Sequence, residues 1–200
     1  MQGNLRLLNG RKLLSPLGGK TRPTTARVRE ALINIIGHNI KDSSWLDLFS
    51  GSGVIGCEAI QRGAKRVLAV ESNKKAAKVS ELNLFNSSQG LNHRTFVEVK
   101  CKDSIEFLKL DPKKLAQKYL QEFPADSYVF DFVYIDPPYH LNIYSGIIRN
   151  LLKGGWINHK SMVVCEHLSD KNPIEKESWI IQKQKNYGKS ALSFITPTQA

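Results

Sequence analysis

Residues 46–56 read LDLFSGSGVIG. The run from Trp45 to Phe49 suits a strand. It breaks into three glycines, Gly51, Gly53 and Gly56, spaced as G-x-G-x-x-G, and a helical pattern follows from Val54 to Gln61. Glycine lets a backbone turn sharply and approach a ligand closely, so strand, glycine turn and helix in this order open a nucleotide-binding α/β unit. The next apolar run, Arg66 to Glu71 (RVLAVE), reads as a second strand, and Glu71 falls 18 residues after Gly53. A carboxylate at that place can accept two hydrogen bonds from a ribose diol. In open α/β sheets such ligands bind outside the carboxyl ends of the strands.

The alternation continues along the chain. Asn73 to Asn86 is helical, with Ala76, Val79, Leu82 and Phe85 on one face; Thr95 to Cys101 alternates as a strand. A short helix is expected over Asp103 to Leu110 and another over Lys113 to Phe123. A strand follows from Phe130 to Ile135, a helix over Leu141 to Leu152 stopped by Gly154 and Gly155, and a strand from Met162 to Glu166. Strands alternating with helices predict a parallel sheet with helices on both faces. The tail breaks the rule. Trp179 to Lys185 and Ser190 to Thr196 have no helix between them and predict an antiparallel hairpin at a sheet edge. Upstream, Thr24 or Thr25 can cap a helix that Gly37 ends, with Val28, Ala31, Leu32, Ile35 and Ile36 as its apolar stripe and Arg27 and Arg29 off it. Further upstream, Asn9-Gly10 between Leu5–Leu8 and Arg11–Leu14 is a hairpin signal.

The glycine loop and Glu71 alone do not separate NAD from S-adenosylmethionine. Two acids favour the latter. Asp47, at the end of the first strand, opposes a pyrophosphate but suits a methionine ammonium. Asp103, just after the third strand, is placed to accept from an adenine amino group and equally to cap the following helix. Phe49 beside the glycines, Ser72 beside Glu71 and Ser104 beside Asp103 complete the candidate cofactor set with Asp47, Gly51 and Gly53.

Residues 131–140 read DFVYIDPPYH. A buried strand here runs into an acid, two prolines and a tyrosine. Proline has no N–H and a fixed φ, so the pair makes a rigid corner that continues neither helix nor ladder. An exocyclic amine on a nucleobase is a poor nucleophile because its lone pair is delocalised into the ring. Acceptors aimed at its N–H bonds hold it and favour the geometry of attack. Asp136 supplies one, the Pro137 carbonyl a second, Pro138 stiffens the corner, and the Tyr139 ring offers a stacking face worth about 1–3 kcal/mol. Positioning of this kind is most of what methyl transfer requires.

The 200 residues, 41% hydrophobic and 24% charged, suffice for one well-packed globular domain. No apolar run reaches the ~20 residues of a membrane span, and no signal-peptide core opens the chain. Cysteines at 57, 101 and 165 give neither a disulfide framework nor a CxxC pair, so no metal is expected and the expected compartment is the cytoplasm. The formal net charge is +11, and residues 1–41 hold eight basic residues against one acid, Glu30. Such a segment points to a polyanion such as RNA, with Arg11, Lys12 and Lys20 as phosphate contacts.

D/N-P-P-Y/F/W marks methyltransferases acting on exocyclic amines. In order, the chain carries RPTTARVREAL, LDLFSGSGVIGCEAI, VESN, DFVYIDPPY, VVCEH and YGKSALSF. Together they resemble the RsmD family, the bacterial 16S rRNA guanine-N2 methyltransferases, from about Leu5 to Thr196. The resemblance implies a Rossmann-like, seven-strand class I methyltransferase sheet, parallel with an antiparallel C-terminal hairpin edge. Asp47, Gly51, Gly53, Glu71 and Asp103 would surround S-adenosylmethionine. Asp136 to Tyr139 would form the amine site, and Arg22 and Thr24 would sit over its mouth. Residues 1–23 would form a basic arm and 24–200 the methyltransferase domain. The partner would be 16S rRNA or an assembling 30S subunit, with a monomer as the default state. Residues 111–127 receive no role. The rivals are a DNA adenine-N6 methyltransferase, which usually needs a further recognition domain, a dehydrogenase, which leaves the DPPY corner unexplained, and a non-catalytic RNA-binding protein.

Overall fold

The computed structural model describes residues 5–16, 24–117, 128–138, 141, 143–171, 174 and 178–198. The chain forms helices and one seven-stranded sheet with the strand order β3-β2-β1-β4-β5-β7-β6. By chain position these are β1 (Ser44–Leu48), β2 (Arg66–Glu71), β3 (Phe96–Cys101), β4 (Phe132–Ile135), β5 (Met162–Leu168), β6 (Trp179–Tyr187) and β7 (Ser190–Pro197). The helices are α1 (Ala26–Ile36), α2 (Val54–Ile60), α3 (Lys74–Ser88), α4 (Ser104–Leu108), α5 (Pro112–Gln117) and α6 (Tyr144–Lys153). Two compact units divide the chain, residues 1–102 and 103–200.

In the first unit β1, β2 and β3 are parallel neighbours, with Asp47 beside Ala69 and Leu48 beside Val70. β1 and β2 are buried along almost their whole length, as strands covered on both faces must be. α1 starts at Thr25, whose hydroxyl accepts from the Val28 N–H, and ends at Gly37 with φ 60°. The segment before it turns at Asn9-Gly10, with a single antiparallel bridge between Arg6 and Lys12. Two expectations of helix faces are corrected here. Arg29 does not lie off the α1 stripe. It is buried with Val28, Leu32, Ile33 and Ile36, because Glu58 of α2 meets it there. On α3 the buried residues are Ala76, Ala77, Ser80, Asn83, Leu84 and Ser87, whereas Leu82 and Phe85 are exposed.

In the second unit β4 and β5 are parallel, β5 and β7 antiparallel, and β6 and β7 form the terminal hairpin. The pairing of Tyr187 with Ser190 leaves Gly188, at φ 63°, and Lys189 as a two-residue turn. A bulge interrupts the register between Ile181 and Lys183. Phe107 and Trp156 pack with ring centroids 4.7 Å apart, and the Trp156 indole donates to the Leu108 carbonyl at 3.0 Å, which satisfies its one polar atom. α6 begins at Tyr144 and not at Leu141, because the Leu141 N–H is turned back onto the Pro138 carbonyl at 2.9 Å. The helix expected over 113–123 is present as Pro112–Gln117, and its remainder lies outside the described residues. Among the described residues no helix is long and apolar enough to cross a membrane.

Candidate active site

The loop after β1 is held in an unusual backbone state. Three of the five residues from Phe49 to Gly53 take a left-handed φ: Phe49 at 65°, Gly51 at 53° and Gly53 at 74°. A bulky residue such as Phe49 pays for that conformation, and such strain gathers at ligand sites. The loop is pinned at its start by the Ser50 N–H on the Val70 carbonyl (3.0 Å) and closed by the Gly53 N–H on the Ser50 carbonyl (2.7 Å). A Cβ added at Gly53 would come within 2.5 Å of Ser80 Oγ, and one at Gly56 within 2.7 Å of both Leu84 and Val67. Close approach therefore fixes both glycines, and Gly53 is fixed by its turn as well.

Glu71, at the end of β2, takes the Gly51 N–H on Oε2 and the Asn73 N–H on Oε1, each at 2.8 Å. A carboxylate has about four lone-pair sites, so these two bonds orient it across the glycine loop and leave capacity for two hydroxyl donors. Asp47 is almost wholly buried, and its Oδ2 has no hydrogen-bond partner. Burial pushes its pKa up to about 8, the Gly56 N–H opposes that, and the charge of Glu71 adds to it. A buried carboxylate oxygen without a donor fits a cationic group placed against it, so the two carboxylates fit a ligand with an ammonium and a vicinal diol. Ser72 is exposed beside Glu71, and its carbonyl lies 3.9 Å from Cys101 Sγ.

In the second unit Asp103 is exposed and caps α4, with Oδ1 accepting from Ile105 N (2.9 Å) and Glu106 N (3.1 Å). Ser104 behind it is buried. Asp136 is half-buried directly after the fully buried β4; Pro137 is buried, Pro138 exposed, and Tyr139 lies outside the described residues. Sequence reasoning missed what holds this corner. The Tyr134 hydroxyl donates to Glu166 Oε2 at 2.5 Å, and the Tyr144 hydroxyl donates to the Glu166 carbonyl. One residue of β5 thus anchors the strand that enters the corner and the helix that leaves it. The only sequence sign was Glu166 inside the quoted VVCEH.

The basic segment also differs from a free arm. Arg29 donates to the Thr24 and Arg6 carbonyls at 2.7 Å each and lies 3.4 Å from Glu58, which also accepts from Arg62 and from the Leu8 N–H. Arg11 is half-buried and donates to the Asn86 carbonyl, Thr24 is buried, and Lys12 is exposed. Lys20 and Arg22 lie outside the described residues.

A seven-stranded sheet in this order, with a glycine loop after β1 and an acid ending β2, is the class I methyltransferase architecture. The model of the family described as "Conserved hypothetical protein 95" matches residues 3–196. Ribosomal RNA small subunit methyltransferase D of Haemophilus influenzae is 32% identical over 191 residues, 94% of this chain and 91% of the relative. The chain belongs to this family, the RsmD family. The solved Escherichia coli protein yhhF superposes with a TM-score of 0.77 at 25% identity and covers 98% of both chains. An RNA methyltransferase of Salinibacter ruber, solved with S-adenosyl-L-homocysteine, shares the fold alone, at a TM-score of 0.61 and 14% identity over 90% of this chain and 96% of that one.

Proposed function

We propose that this protein transfers a methyl group from S-adenosylmethionine to the exocyclic N2 amine of one guanine in 16S rRNA, free or in an assembling 30S subunit. Asp47, Phe49, Gly51, Gly53, Glu71, Ser72, Asp103 and Ser104 hold the donor: Asp47 its ammonium, Glu71 its ribose diol, and Asp103 its adenine amine. S-adenosylmethionine supplies a methyl group on a sulfonium that departs as a neutral thioether. The chain supplies position. Asp136 accepts one N–H of the target amine, the Pro137 carbonyl accepts the other, Pro138 fixes the corner, and Tyr139 stacks on the base; the N–C bond forms as the S–C bond breaks, and one amine proton is then lost to solvent. Arg11, Lys12, Lys20, Arg22 and Thr24 face the RNA. Residues 1–23 form the basic arm and 24–200 the methyltransferase domain.

The observation that carries this reading is the acid-proline-proline corner closing a fully buried strand, with Asp136 half-buried at its tip. The relatives' name supports rRNA as the substrate. The test combines labelled S-adenosylmethionine with 16S rRNA, 30S particles and duplex DNA, followed by nucleoside analysis. N2-methylguanosine in 16S rRNA is expected, and N6-methyladenine in DNA would overturn the substrate. Asp136→Ala should keep S-adenosylhomocysteine affinity near that of the parent. Its turnover should fall about a hundred- to a thousand-fold, as when one positioned hydrogen-bonding group is removed from a dry site.

A further inference from the structure

Asn83 lies in the middle of α3 and is 2% exposed. Asparagine is a poor helix-interior residue because its amide competes for backbone groups, so a buried one needs partners. Its partners come from two segments far apart in sequence. Oδ1 accepts from the Leu14 N–H at 2.9 Å, and Nδ2 donates to the Leu14 carbonyl and to the Ser52 carbonyl, both at 2.9 Å. Both amide hydrogens are used. Ser52 stands between the two left-handed glycines of the loop, and Leu14 stands in the basic arm. One turn earlier Ser80 lies under Gly53, with its hydroxyl 3.4 Å from that of Ser50. Among the described residues, other side-chain bonds to the arm involve Arg29, Glu58, Gln61 and Asn86, which lie outside the glycine loop.

We propose that Asn83 is a positioning residue that couples methyl-donor binding at the glycine loop to the order of the arm around Leu14, and through it to RNA binding. This rests on the reading that the loop holds the donor and the arm meets RNA. A ligand that orders the loop fixes the Ser52 carbonyl, and with it the amide that grips Leu14. RNA arriving second then pays less ordering entropy, and by linkage RNA strengthens donor binding by the same factor.

Residue-resolved hydrogen exchange on the full chain, titrated with S-adenosylhomocysteine, reads both ends of the linkage. The Gly51 amide, bonded to Glu71, reports the loop; the Leu14 amide, bonded to Asn83, reports the arm. At ligand near 100 times Kd, where roughly hundredfold protection is available, the Leu14 amide should slow about tenfold or more along with Gly51. In Asn83→Ala, Gly51 should still slow while Leu14 stops responding. The gain in affinity for deproteinised 16S rRNA on adding S-adenosylhomocysteine, about fivefold or more in the parent, should vanish in the variant. Slowing of Gly51 with Leu14 unmoved in the parent protein would overturn the coupling and leave the donor site standing; this arm of the test needs no variant to fold. Both amides unmoved would overturn the donor site, and the coupling with it.

Discussion

At the scale of single residues, Asp47 concentrates the chemistry of the loop. Its folded pKa, about 8, lies above the ordinary 3.8, chiefly because burial disfavours the charge. The folded state therefore binds more protons than the unfolded one between those values. The stability this group contributes is fully present below about pH 4 and is lost as pH rises through about 8. Asp47→Asn should consequently gain stability over the parent as pH is raised from 5 to 8, read from denaturant midpoints at each pH. Donor binding has the matching signature. If Asp47 holds the ammonium as proposed, the ligand favours its ionised form, so S-adenosylhomocysteine should release a fraction of a proton near pH 7 and bind more tightly toward pH 8. Calorimetry in buffers of different ionisation enthalpy measures that proton, and the Asn variant should release none from this site. The place of Asp47 was legible because it directly follows the apolar start of the strand. Its unpartnered oxygen was not, since only the folded loop shows which donors fail to reach it.

At the scale of elements, α3 shows where periodicity misleads. Ala76, Val79, Leu82 and Phe85 recur at a spacing that reads as a core stripe, yet of these only Ala76 is buried, and the buried side carries Ala77, Ser80, Asn83, Leu84 and Ser87 with it. The reason is what the helix packs against. It backs a glycine loop and a strand-like arm whose carbonyls and N–H groups need small and polar partners at close range. Leu82→Gln with Phe85→Gln should therefore change stability by less than about 0.5 kcal/mol, whereas Leu84→Ala should cost about 2–5 kcal/mol. Thermal or denaturant unfolding of the two variants decides between the two faces. The other elements were read from local signals that fold as local structure: Thr25 and Gly37 around α1, the glycines before α2, and the turn between β6 and β7. The Arg29–Glu58 pair was not, because its members are 29 positions apart and each alone reads as a solvated charge.

At the scale of the whole molecule, the formal charge of +11 predicts RNA binding that weakens steeply with salt. The structure sorts the charges that can contribute. Lys12 is exposed and Arg29 is spent on Glu58 and two carbonyls. Lys12→Gln should lower the slope of log affinity against log salt by about one, while Arg29→Gln should leave the slope and lower the melting temperature. Filter binding across a salt series, with melting curves on the same samples, checks both. The sheet has its own consequence at this scale. Its outer strands are β3 and β6. β3 carries the Glu98–Lys100 ion pair, and β6 is exposed from Gln182 to Asn186, with Lys183 and Lys185 beside the bulge. Charged side chains and a break in register make a poor template for a visiting strand, so each rim guards itself against edge-to-edge aggregation.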